Sequence, residues 1–329
     1  MSIAVLDNKI PLLVVVGPTA SGKTSLAVAL AKRYHGEVVS ADSMQIYQGM
    51  HIATAKPTSA EMEGICHHLM DFLPPGAVYS VADYVRDAHA CIRELSEKGI
   101  LPVVAGGTGL YVDSLIRNIQ YADIPSNPEI RRRLEEQAAE KGTADMLSEL
   151  SAVDPEAASR LHVNDQKRII RALEVYQVSG VTITEYNRRS RAMESPYRPF
   201  IVGLQVHDRS VLYERINRRV DQMVEHGLIE EARAFWGSTH SATAIQAIGY
   251  KELLPYFSGA VSLDEAVEDI KRETRRYAKR QLSWFRRNPD INWFYLDDYT
   301  STAEMTDHIC NVIEKRCDFI GCKEKKQQE

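Results

Sequence analysis

No apolar run in the 329 residues approaches the roughly 20 residues that a membrane-spanning helix needs. The opening Met1–Asp7 lacks the basic start and cleavage site of a secretory signal, so none is expected. Cysteine is scarce. Cys66, Cys91, Cys310, Cys317 and Cys322 form an odd set at irregular spacing, which excludes a disulfide framework and a zinc knuckle; a reducing cytoplasm is the expected setting. Positive charge is not in excess either: 40 Lys and Arg against 45 Asp and Glu leave a net −5, which taken alone argues against nucleic acid. Internal repeats are missing too. What remains is ordinary for a globular chain, with 44% hydrophobic and 26% charged residues, and its length suits one large domain plus a smaller inserted one. A monomer is the simplest expectation.

Against that plain background one motif stands out. The apolar run Leu12–Val16 leads directly into Gly17, Pro18, Thr19, Ala20, Ser21, Gly22, Lys23 and Thr24, and then into a helical pattern. A strand, a glycine-rich loop and a helix in that order form a cradle for at least two linked phosphates. Backbone N–H groups between Gly17 and Lys23 would wrap a phosphate, with Lys23 as a point charge and Thr24 on Mg²⁺. A second absence now matters. The core strand expected at Ile100–Ala105 ends in Gly106-Gly107-Thr108, where many nucleotide hydrolases of this class carry a magnesium-holding aspartate. That speaks mildly against nucleotide hydrolysis.

The natural acid is Asp42 instead, just after a short strand at Glu37–Ser40 and on the sheet end where ligands bind. A carboxylate there can take a proton from an incoming nucleophile, with Ser43 and Gln45 beside it able to read a polar edge. The plainer alternative is that Asp42 caps the following turn. Arg215 and Arg219, four apart, share a helix face and would suit the charge of a departing diphosphate, unless they are merely solvated. Cys66, His67, His68 and Asp71 suggest a metal at first sight, but adjacent side chains cannot easily converge, so no metal is expected there.

Strand–helix–strand alternation around the phosphate loop predicts an α/β fold: a parallel sheet of the P-loop NTPase kind with helices on both faces. Ser80-Val-Ala-Asp83 begins a helix with a capping box, and Gly99 ends it. Beyond Gln120 the pattern changes. Asn127-Pro128, Asp154-Pro155 and Asn164-Asp165 each start a helix, Gly142 and Gly180 read as stops, and Thr182–Glu185 is a further capping box. No strand is expected again until Phe200–Val206. Residues 121–199 therefore read as an all-helical insert, introduced by a linker at 124–126, within a core made of 1–120 and 200–317. Helices are expected at Ser210–His226, Leu228–Trp236, Ser262–Arg287 and Thr302–Arg316, a strand at Asn292–Leu296, and a flexible tail at 318–329.

The charge is unevenly spread. Between Lys271 and Arg287 eight cations face one acid, Glu273, a local excess of +7. Tyr277, Trp284 and Phe285 interleave with Arg276, Arg280 and their neighbours, which points to a polyanion with stackable bases, or else to a basic amphipathic helix with its aromatics turned inward. The insert from Ser126 to Arg198 has twelve cations and twelve acids and so carries no such signal by charge.

Taken together, these pieces resemble the bacterial tRNA dimethylallyltransferase (tRNA isopentenyltransferase) family. The resemblance is carried by the phosphate loop, Asp42-Ser-Met-Gln-Ile-Tyr47, Gly49-Met-x-Ile-Ala-Thr-Ala-Lys-Pro57, His67-His-Leu-Met-Asp71, Gly106-Gly-Thr-Gly-Leu-Tyr111, Asn164-Asp-Gln-Lys-Arg168, Arg215-Ile-x-x-Arg219, Ala247-Ile-Gly-Tyr250 and Tyr277-Ala-Lys-Arg-Gln-Leu-x-Trp-Phe285. The motifs run in the family's order over nearly the whole chain. Ala53, where glycine is common, is the main departure. The resemblance implies that the loop holds dimethylallyl diphosphate with Mg²⁺. It implies transfer of the dimethylallyl group to N6 of the adenine 3′ of the anticodon, in tRNAs reading U-initial codons. By position, Asp42 becomes the base on N6, Thr108 a contact to the flipped adenosine or its phosphate, and Lys23 and Arg219 the diphosphate holders. Ser43, Met44, Gln45, Arg131, Gln166, Lys167, Arg168, Ile169 and Ile170 fall on tRNA-contacting positions. An ATP-dependent small-molecule kinase and a noncatalytic RNA-binding module are the alternatives.

Overall fold

The computed structural model describes residues 9–119, 121, 127–190 and 194–316. The chain divides into two compact units, Met1–Ile116 with Ser195–Glu329, and Arg117–Glu194.

The first unit is built on a six-stranded sheet: β1 Ile10–Val16, β2 Gly36–Ser40, β3 His67–His68, β4 Leu101–Gly106, β5 Tyr197–Gln205 and β6 Ile291–Tyr295. Their spatial order is β3-β2-β4-β1-β5-β6, and every pairing is parallel. Parallel strands need crossovers, and the crossovers bury both faces. Leu13, Val15, Val38, Val103 and Val202 point to one side, against Leu26 and Leu30 of the Lys23–Arg33 helix and Ile309 and Ile313 of the Thr302–Lys315 helix. Their neighbours Val14, Val16, Val39 and Val104 are fully buried on the other. There the Val81–Glu97 helix packs on β2 and β4, with Tyr84, Ala88 and Ile92 inward. Ser80 and Asp83 form the expected capping box, and Gly99 turns the chain with φ +72°.

The expected strands are all present, with ends moved by one to three residues. β3 is an addition to them: two histidines at a sheet edge leave no periodicity to read. Its place is set by backbone pairing, Val38 to His67 and Val39 to His68.

In the second unit the helices are Pro128–Lys141, Thr143–Val153, Pro155–Ala158, Gln166–Ser179 and Ile183–Ser190. Asn127 Oδ1 accepts from the Glu129 and Ile130 N–H groups, and Asp154 Oδ1 from Ala157, as the proline-plus-cap pattern predicts. Leu134, Met146, Leu150, Ile169 and Leu173 form its core. The fully buried Glu174 accepts from Asn127 N, Arg131 and Arg171, a three-way tie that keeps its charge satisfied. The insert, expected to reach 199, ends sooner, because β5 takes up the chain at Tyr197. The linker at 124–126 and the tail at 318–329 lie outside the described residues.

Candidate active site

The sheet register builds the site. Val16 lies opposite Gly106 on one side and Gly203 on the other, and Ser40 lies opposite Ala105. The segments after β1, β2 and β4 therefore leave the same carboxyl edge side by side, which is where open α/β sheets bind ligands. Between β2 and β4 the approach is close. A Cβ on Gly106 would stand 2.1 Å from the Ala41 carbonyl oxygen, so no side chain, and no aspartate, fits at the end of β4.

The phosphate loop turns into its helix through Gly22, at φ +86°, a left-handed geometry that favours glycine. Lys23 is the first helical residue, so the free N–H groups and positive dipole end point at the loop. Two long helices grip that loop. From Arg209–Glu225, Arg215 Nε donates to Ala20 O at 2.8 Å. From Leu263–Phe285, Gln281 Oε1 accepts from Thr19 N at 2.8 Å while its Nε2 donates to Gly107 O at 3.0 Å. Inside the loop Ser21 Oγ is buried with no hydrogen-bond partner among the described residues. A buried hydroxyl without a partner is a place where a ligand oxygen can be received.

The loop opens on a cavity of about 390 Å³. Lys23, Thr24, Asp42, Arg219, Tyr277 and Arg280 supply its polar wall; Ile216, Val220, Met223 and Ile270 supply apolar wall. Burial lowers the Lys23 pKa to about 8, against the pull of Asp42, and Arg219 adds to the lowering. Burial pushes the Asp42 carboxyl up, and the Met44 N–H and Lys23 partly offset it. Arg219 is lowered by burial as well. The cavity thus sets the Asp42 carboxyl against Lys23 and Arg219, with an apolar patch beside them.

Asp42 both caps its turn and faces the cavity. Its Oδ1 accepts from Met44 N at 2.9 Å and Gln45 N at 3.4 Å, capping the turn, and Oδ2 has no hydrogen bond among the described residues. The cap fixes the carboxylate's aim. Ser43 and Met44 line the cavity beside it. Gln45 is less available than expected: its Nε2 donates to Thr54 O and Ala55 O, both at 3.2 Å, and its Oε1 accepts from Ser40 Oγ. It fastens the 53–55 loop instead of offering a free amide. Thr108 lies behind this turn and is not among the cavity-lining residues; its Oγ1 accepts from Ser43 N at 3.0 Å and donates to Ser43 Oγ. Of the two arginines, Arg219 lines the cavity, while Arg215 is committed to the loop's backbone.

The basic helix is less exposed in its charge than the window Lys271–Arg287 implies. Lys271 pairs with Asp221 and Glu268, Arg272 with Asp269, Arg276 with Glu273, and Arg275 donates to Asn217 Oδ1. Its aromatics are turned inward. Phe285 is 1% exposed, and Trp284 donates to Asp113 Oδ2 with Arg287 over its ring. Neither is free to stack on a base. Tyr277 faces the cavity with Arg280 against its ring, and burial and Asp42 keep its phenol protonated.

Two residues of the site were not singled out from the sequence. Gln281 is the clamp already described. Glu231 is the other: its Oε2 accepts from His51 N and Ile52 N, both at 2.8 Å, and its Oε1 from Ala53 N and Tyr250 Oη, both at 2.9 Å. One carboxylate therefore sets the loop that carries Ala53, Thr54 and Ala55 to the cavity. Both act across more than 100 residues of chain, which no local pattern reveals.

In the second unit, Gln166, Lys167 and Arg168 occupy the first turn of their helix, and all three are exposed. The side chains of Ile169 and Ile170 are buried in that unit's core, and Arg131 is held by Glu174. Helical spacing turns Ile169 and Ile170 inward, so any contact that they make would be through backbone.

A family model described as IPP transferase matches residues 45–288, and one described as isopentenyl transferase matches residues 10–72. The tRNA dimethylallyltransferase of Caldanaerobacter subterraneus subsp. tengcongensis is 46% identical over 313 residues, 94% of this chain and 99% of that protein. The crystal structure of a full-length tRNA isopentenylpyrophosphate transferase from Bacillus halodurans is 43% identical, with TM-score 0.71 over 95% of this chain and 98% of that one. A eukaryotic dimethylallyltransferase acting on tRNA is 26% identical, with TM-score 0.78 over 97% and 81%. With the core motifs falling inside these matches and the site built as above, the chain belongs to the IPP transferase family.

Proposed function

We propose that this protein transfers the dimethylallyl group of dimethylallyl diphosphate to N6 of the adenine 3′ of the anticodon, tRNA position 37. The observation that carries the reading is that the phosphate loop and Asp42 open into one cavity, beside an apolar patch of Ile216, Val220, Met223 and Ile270. The N6 nitrogen attacks C1 of the allyl group as the C1–O bond breaks, the amine proton passes to Asp42 Oδ2, and the diphosphate leaves with the bonding pair. N6 is a poor nucleophile because its lone pair is delocalised into the ring, so the base and the held leaving group are both needed. Lys23, Arg219 and the loop N–H groups take the developing charge. Met223, Val220 and Ile270 keep water from the allylic carbon. Unstacking an anticodon-loop adenine costs about a few kcal/mol, which the pocket contacts offset.

The oxygen donors at the loop suit a hard cation, and the buried Ser21 hydroxyl supports an anion held against it. Thr24, with the diphosphate oxygens, would hold Mg²⁺, which supplies positive charge to the leaving group. The kinase alternative wants an acid for the metal near the γ-phosphate; the closed approach at Gly106 disfavours one there.

Nucleoside analysis of tRNA from cells with and without this protein tests the proposal. Prenylated adenosine at position 37 should vanish with the gene and return with it; its persistence in the deletion would contradict the assignment. Glu231→Ala should raise KM for tRNA about tenfold or more, since the 51–55 loop loses the acceptor of three N–H groups. Glu231→Gln should recover part of that loss, and an unchanged KM in Glu231→Ala would show that the loop holds itself. Neutralising Arg276 and Arg280 should flatten the dependence of log affinity for tRNA on log salt by about 0.7–0.9 for each phosphate no longer neutralised. An unchanged slope removes both from the RNA surface.

A further inference from the structure

Away from the cavity, at the β3 edge of the sheet, three chemically different ligand groups converge. Parallel register sets Val38 beside His67, and hence Glu37 beside Cys66. The period of two along a strand then brings His68 to the same face as Cys66. Cys66 Sγ, His68 Nε2 and a Glu37 carboxylate oxygen all lie within 4.8 Å of one another. His68 Nε2 is 2.6 Å from Glu37 Oε2. Neighbours in sequence point to opposite faces of a strand, which is why no metal is expected from adjacency. Alternate residues on one strand and a partner across the ladder do converge.

We infer that Glu37, Cys66 and His68 form a binding site for one thiophilic divalent cation of the zinc class, separate from the magnesium chemistry of the phosphate loop. A sulfur, an imidazole nitrogen and a carboxylate oxygen are the donor types such a cation takes, and three protein ligands leave a fourth position to water. Magnesium and calcium prefer oxygen donors, so the thiol sets the preference. The charges close: a thiolate and a carboxylate neutralise the dication, and the cation replaces the protons that these groups otherwise share around Glu37. A tetrahedral site has ligand-to-ligand edges of about 3.3–3.6 Å, so coordination would part His68 Nε2 from Glu37 Oε2, now 2.6 Å apart, by under about 1 Å.

The site also has a consequence for the cavity. β3 is two residues long, and the segment after it pairs with the turn carrying Ser43 and Gln45: Asp71 N donates to Gln45 O at 2.9 Å and Phe72 N to Ile46 O at 3.0 Å. A cation joining β2 to β3 ties down the edge on which that turn leans.

The test uses the full chain, stripped with a chelator and titrated with Co²⁺, whose thiolate ligation gives a near-ultraviolet charge-transfer band. The band should saturate at one equivalent and be displaced by Zn²⁺. Cys66→Ser should abolish it, with an unfolding temperature in chelator equal to that of the unaltered protein. Cys91→Ser should leave it in place. Glu37→Gln and His68→Gln should weaken binding at least about tenfold, the size that even a supporting group is worth at a metal site. No band at one equivalent, binding that appears only with cation in large excess over protein, or a band that survives Cys66→Ser would overturn the site.

Discussion

Asp42→Asn is expected to lower turnover by about 10²–10⁴-fold, the usual worth of a positioned general base, while tRNA affinity stays within about twofold. The substitution is nearly isosteric. Asparagine's Oδ1 can still accept from Met44 N and Gln45 N, so the turn keeps its cap and Ser43 keeps its hydrogen bond with Thr108. What disappears is an oxygen able to take the N6 proton. Single-turnover rates with saturating tRNA, beside a binding isotherm, separate the two. Near-normal turnover would reduce Asp42 to its capping role.

The second large effect concerns the leaving group. Arg219→Ala should cut kcat/KM for dimethylallyl diphosphate by about 10²–10³-fold, comparable to removing one preorganised donor to a developing oxyanion, with tRNA affinity little changed. Arg219→Lys should recover part of the loss, because it restores charge without the fork. Equal losses for both substrates would point to a structural role for the Arg209–Glu225 helix. The same electrostatics set a pH profile. Lys23, lowered to about 8 by burial, is charged below that pH and neutral above it, so kcat/KM should fall as pH rises through about 8. Asp42 is shifted upward and must be ionised to act, so activity should fall on acidification, beginning above the ordinary carboxylate range. A bell results, and Lys23→Arg should move its alkaline limb upward.

The parts of the fold legible in the sequence were those with local causes. Leu12–Val16 is a continuous apolar run because both faces of a parallel strand are buried, and Ser80–Asp83 and Ser262–Glu265 announce helix starts by capping chemistry. The phosphate loop and Asp42 were legible because each directly follows a strand, at the sheet end where ligands bind, and Arg219 only as one of a pair with Arg215 on a shared helix face. Long-range commitments were not. Nothing near Gln281 says that its amide will bridge Thr19 and Gly107, and nothing near Gln45 says that its own will be taken by the 54–55 carbonyls. The charge window from Lys271 to Arg287 misleads for a related reason. It omits the acids one turn earlier, Glu268 and Asp269, that pair with it. Gly106 shows the reverse: the absence of an acid is visible in the sequence, and its cause, the Ala41 carbonyl, only in the structure.

The most direct test of the central claim, that the phosphate loop serves a leaving diphosphate and not a nucleotide, is a transfer assay. Protein and unmodified tRNA are incubated with Mg²⁺ and dimethylallyl diphosphate labelled in its allyl group, and a parallel reaction receives ATP labelled at the γ-phosphate. The expected result is label in tRNA, released as prenylated adenosine from position 37, with diphosphate formed in equal amount and no phosphate from ATP. Phosphate released from ATP, with no label entering tRNA, would contradict it.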